Sequence, residues 1–151
     1  MSRKGYVTWL KVASILAIGF GLASSLASFE GGSGIWLFLF DILRWPVDGL
    51  PESFDANSYA LNAVLGGVMA GWGILLYLLA NGPIAEGDHR MANYMLISLD
   101  VWFVVDSIGS VVAGIPGNLI LNLSFLVIFG IPLLVLRKPE TESLTANTVN
   151  S

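Results

Sequence analysis

Between Val101 and Asn122 the chain reads VWFVVDSIGSVVAGIPGNLILN. An apolar run ends, Gly114-Ile115-Pro116-Gly117 turns, and a second apolar run begins. That turn is too short for another element to pass between the runs, so they must fold back as an antiparallel helical hairpin. The same stretch sets an ionisable side chain, Asp106, among valines and isoleucines. Ser107 and Ser110 follow it, and Asn118 and Asn122 lie just past the turn. A carboxylate in hydrocarbon is costly and needs a hydrogen-bonding partner or a function.

Composition says that the surroundings are hydrocarbon. Of 151 residues, 55% are hydrophobic and only 12% charged, where a soluble domain carries about 25% charged residues. Mean hydropathy is +0.75. So little polar surface cannot solvate a globule, and a membrane protein crossing the bilayer several times is expected. The chain has no cysteine, which excludes disulfides, iron–sulfur clusters and thiolate metal sites. The net charge is −4 and no basic stripe exists, so nucleic acid is not an expected partner.

The apolar periodicity predicts an all-α fold, one domain over residues 1–138 with a four-transmembrane-helix bundle. The helices are expected at about 6–29, 58–80, 91–113 and 118–136, each enough to span ~30 Å of hydrocarbon. Ser25-Leu26-Ala27 resembles a signal cleavage site, but the run before it is far longer than a signal's usual ~7–15 apolar residues. It reads as a retained helix. Asp55 or Asn57 can cap the second helix. The last residues, 139–151, are polar and expected to be a disordered tail.

Small residues recur every fourth position in two helices: Ala13, Ala17, Gly21 and Ser25 in the first, Ala63, Gly67 and Gly71 in the second, with Gly66 and Ala70 beside them. Such strips let helix backbones approach closely in lipid. Helices one and two are expected to pack along them. The glycine run is no nucleotide loop, since no Lys-Ser/Thr follows it.

Between these helices, Ile35–Trp45 (IWLFLFDILRW) is apolar and aromatic but too short to span. It reads as a short interfacial helix ended by Pro46, with Trp36 and Trp45 as anchors at headgroup level. A lid over the bundle or a partner-binding surface are its other readings.

Arg3, Lys4 and Lys11 precede or open the first helix, Arg90 lies in the second loop, and Arg137 and Lys138 follow the last helix. The long first loop has only Arg44. The positive-inside rule then places both termini in the cytoplasm. On that orientation Asn62 lies about 6 Å below the outer boundary, Asp106 about 11 Å, and Ser110 and Asn122 about 6–7 Å. Ser24, Ser25 and Ser28 reach similar depth, so all four helices bring polar groups to the outer half. Asp100 falls near mid-membrane. It is six positions from Asp106, which turns the two about 120° apart. They are no paired-carboxylate site.

Two readings of the polar cluster follow. In the first, Asn62, Asn122 or a serine bonds Asp106 and fixes helix register, each interhelical bond contributing ~0.6–2 kcal/mol. In the second, Asp106, Asn62, Ser110, Asn122, Asn118 and Ser107 line an outward-facing pocket. Asp106 is then the counter-charge for a small polar or cationic ligand, or a proton carrier. Catalysis has little support. The one histidine, His89, lies in a polar loop at the far end of the helix from Asp106. It reads as solvated, and neither a metal site nor a haem site can be assembled from these residues.

The outline is similar to that of the DoxX-like group of small bacterial membrane proteins. Asn62 to Gly73 and Trp102 to Asn122 carry the resemblance: a Gly/Ala-rich second helix after a long outer loop, and a tight last hairpin. It implies a small integral protein of the bacterial inner membrane, in some cases an accessory part of a larger system. It transfers no site residue. The expected function is a non-enzymatic accessory or assembly subunit, or a self-associating module, with the lipid bilayer and a protein partner or second copy around it and no cofactor. The alternative is the ligand or transport pocket at Asp106, and a membrane enzyme comes third.

Overall fold

The computed structural model describes residues 1–45 and 47–139. Its helices are α1 (Arg3–Leu26), α2 (Gly34–Leu43), α3 (Ala56–Asn81), α4 (His89–Val112) and α5 (Asn118–Leu136), with a 3-10 turn at Glu30–Gly32. There is no strand among the described residues. Four helices, α1, α3, α4 and α5, are long and apolar enough to cross a membrane, as suits a multi-pass membrane protein. The expected disordered tail, from residue 140 on, and the stop at Pro46 lie outside the described residues.

Helix ends follow their caps. α1 begins three residues before the expected start because Ser2 caps it, its hydroxyl accepting from the Gly5 amide at 3.3 Å. Asp55 caps α3, accepting from the amide of Ser58 at 2.7 Å and from its hydroxyl at 2.6 Å. The Ser58 hydroxyl and amide hold the Asp55 carboxyl below its ordinary range. Asp88 caps α4 through the Arg90 and Met91 amides. Gly114, at φ +77°, follows the last turn of α4 in the left-handed conformation that glycine adopts without steric cost.

α1 is the centre of the bundle. It packs on α3 along its length and on α5, and α5 pairs with α4, whereas α3 and α4 meet at few points. The ring therefore runs α3–α1–α5–α4 and its last seam is parted. Arg3 donates to the Leu136 carbonyl at 3.5 Å, and Lys11 to the Asn81 side chain at 3.1 Å. These bonds gather the start of α1 and the ends of α3 and α5 at one end of the bundle. The apolar core fills that half, with Leu10, Leu99, Phe129, Leu133 and Leu136 buried.

The α1–α3 contact is made by backbone. Ala13, Ala17 and Gly21 are buried as expected. A methyl on Gly21 would strike the Ala70 amide and sit 2.9 Å from the Gly66 carbonyl oxygen. A methyl on Gly66 would sit 2.6 Å from the Gly21 carbonyl oxygen. The expected strip on α3 is corrected. Ala63, Gly67 and Gly71 are exposed, and a methyl on Gly67 or Gly71 would meet nothing within 4 Å. Gly66, Ala70 and Gly73 take their place against α1. The chosen row carries Asn62, Leu76 and Ala80 to the buried side with it. Burying the polar Asn62 and keeping the leucine side of α3 outward decides the rotation.

Candidate functional site

The site lies in the other half of the bundle, under α2. This helix is tied at both ends to backbone. Trp36 is buried and its Nε1–H donates to the Ala23 carbonyl at 2.7 Å. Ala23 lies in the last turn of α1, and its carbonyl also accepts from the Ala27 amide at 3.3 Å. The Trp36 ring meets Phe20 edge-on at 4.8 Å. At the other end the Gly117 amide donates to the Leu43 carbonyl at 3.0 Å, and a methyl on Gly117 would fall 2.7 Å from that oxygen. So α2 roofs the bundle. Trp36, expected as a headgroup anchor, has its ring buried against the bundle and its N–H satisfied by the Ala23 carbonyl. Trp45 is exposed.

Below this roof is a cavity of about 420 Å³ in the seam between α3 and α4. Its polar end holds Asp106, Ser110, Asn118, Asn122, Asn62 and Ser24. The rest is apolar and aromatic. Trp72 of α3 and Trp102 of α4 close the floor, ring centroids 5.9 Å apart, and Phe125 of α5 stands 6.2 Å from Trp102. Asp106 is the one ionisable group in the lining. A second cavity of about 360 Å³ sits among the loop residues outside α2. The two share Phe40, Asn62 and Leu65 in their walls. Asp41 lines the outer one, buried and accepting from the Gly49 amide at 3.1 Å.

The carboxylate of Asp106 is held by α5. Asn118 and Asn122 sit one helical turn apart, and both Nδ2 groups donate to Asp106 Oδ2, at 3.0 and 2.6 Å. Asn118 also donates to Ser110 Oγ at 2.8 Å and Asn122 to Ser107 Oγ at 3.2 Å. Five of the expected cluster residues are thus brought together by the hairpin alone. Asn62 is not among them. Its carbonyl accepts from the Ser24 hydroxyl at 3.4 Å, and its side chain makes no hydrogen bond among the described residues. It faces the cavity from α3, across the parted seam. The cluster is therefore hairpin glue on one side and cavity wall on the other.

Asp100 lies outside it, exposed on α4. His89 opens α4, seventeen positions and roughly 25 Å from Asp106, so no acid–base pair forms between them. Phe20, Phe40 and Phe125 belong to the site without having been singled out. In an apolar chain an aromatic lining a cavity carries the same sequence signal as one facing lipid.

No family model, curated protein or solved structure matches this chain.

Proposed function

We propose that this is a non-enzymatic integral membrane protein that holds a small amphipathic molecule in the cavity between α3 and α4. The observation that supports it most directly is the composition of that cavity. A lone carboxylate, already positioned by two amides, looks into an aromatic space of about 420 Å³, within the size range of small-molecule pockets. A donor or cationic head would bond Asp106 and the Asn62 side chain. Its apolar body would lie on Trp72, Trp102 and Phe125. The parted seam is an entrance from the lipid side, and the loop cavity beyond Asn62 is one from water. Both termini in the cytoplasm, by the positive-inside rule, put the cavity in the outer leaflet of a bacterial inner membrane.

Native mass spectrometry of protein extracted in a mild detergent tests this. The expected result is a bound molecule of small mass. It should be lost in Asp106→Asn and in the cavity-filling Leu121→Trp, both still folded. Wild-type protein free of any such molecule would sink the reading.

A second reading, an accessory subunit or self-associating module, is favoured by a different observation. The exposed Ala63, Gly67 and Gly71 leave a flat face on α3 that no described residue covers, the kind of face by which membrane helices associate. The same spectra test it: a defined larger complex supports it, and a bare monomer opposes it. The DoxX-like outline is compatible with both.

A further inference from the structure

The four spanning helices contain two acidic residues, both on α4. Asp106 is bonded by two amides. Asp100 is exposed and has no hydrogen-bond or ion-pair partner among the described residues. It stands at the middle of a 24-residue helix, roughly 16 Å from either end, too deep for its short side chain to reach the interface. The solvent at that depth is hydrocarbon. An acid there is expected to face the bundle interior or another polar group, and the bundle does not supply one.

The residues around it form a seam. Ile97, Asp100, Val104 and Val111 are all exposed and follow one another at three, four and seven positions. That is the spacing at which one helix lays side chains into another at a shallow left-handed crossing.

We propose that this face of α4 binds a transmembrane helix of a different protein, one that presents a lysine or arginine at mid-membrane to Asp100. A second copy of this chain does not fit. Its spanning basic residues lie near helix ends, and Lys11, the deepest, is bound to Asn81, the last residue of α3. The proposal rests on the second reading above, association in the membrane, and names the partner's chemistry. It is independent of the cavity.

The test uses the full chain in phosphatidylcholine vesicles with a synthetic polyleucine helix of about 21 residues, carrying one central lysine, as probe. An all-leucine helix is the control. The protein has no cysteine, so Glu86→Cys gives one labelling site for energy transfer. The lysine probe should bind about ten-fold tighter than the leucine probe. Asp100→Leu should abolish that preference and leave the melting temperature equal or higher. Asp106→Asn should keep the preference. Equal binding of the two probes overturns the proposal, as does loss of the preference in Asp106→Asn. A lower melting temperature for Asp100→Leu would assign Asp100 to the bundle. Self-association without probe that Asp100→Leu removes would assign the face to a second copy. Either result also overturns it. If native spectra show a larger complex but the probes bind equally, association stands and the cationic partner falls.

Discussion

Asp106 accepts both asparagine amides on a single oxygen, Oδ2. Replacing it with asparagine can keep an acceptor at that place, whereas alanine leaves one N–H of each amide without its partner, with only the bonds to Ser110 and Ser107 remaining. An unsatisfied buried polar group costs about 1–3 kcal/mol, and interhelical bonds in lipid contribute less than that on average. Asp106→Ala is therefore expected to destabilise the protein by about 2 kcal/mol and Asp106→Asn by under about 1 kcal/mol. Thermal melts in detergent check both, and equal losses would show that geometry at Oδ2 is not what holds the hairpin. Asn122 as a partner of Asp106 was legible in the sequence because the turn fixes its register; Asn118 was legible only as a neighbour in the same cluster. Asn62 was not, since its depth matches but the α3–α4 distance depends on how tightly α1 packs against α3. Trp36 shows the same limit. Its amphipathic ring suits an interface, and only the fold reveals the Ala23 carbonyl within its reach.

At the scale of elements, the α1–α3 pair depends on two glycines whose missing side chains admit the opposite backbone. Overpacking usually costs ~1–3 kcal/mol, and backbone cannot move aside as a side chain can. Gly66→Ala and Gly21→Ala are expected to cost about 3 kcal/mol or to prevent folding. Gly67→Ala, one residue along, meets open space and gains helix propensity of up to about 1 kcal/mol. Expression and melting of this adjacent pair check the rotation of α3. Equal tolerance at 66 and 67 would contradict it. The two small-residue rows of α3 look alike as spacing. The difference between them is what travels with each, Asn62 and Ala80 on one, Ile74 and Leu78 on the other, and the literal GxxxG of Gly67 and Gly71 points to the wrong one.

On the scale of the whole molecule, polarity divides the bundle in two. The half holding the start of α1 and the end of α5 has the apolar core, and the half under α2 has the hydrogen-bonded cluster and the cavities. That division was readable from depth counting, because it needs only helix boundaries good to a turn. Its orientation across the membrane is open to direct measurement in a chain without cysteine. Ser2→Cys and Glu86→Cys should be shielded from a membrane-impermeant thiol reagent in intact cells, and Glu52→Cys labelled. The reverse pattern would turn the cavity toward the cytoplasm.

The close approach of Gly21 and Gly66 has a mechanical side. Two helices joined backbone to backbone slide or tilt only by breaking that contact, so α1 and α3 act as one stiff post. The α4–α5 pair is fastened just as firmly within itself, by four side-chain bonds across the hairpin. What joins post to hairpin is the α1–α5 line, with the Leu43–Gly117 bond as a latch at the roof. Motion that widens the seam must therefore be a swing of the whole hairpin about α1, like a door on its jamb, and the 420 Å³ space is the gap at its free edge.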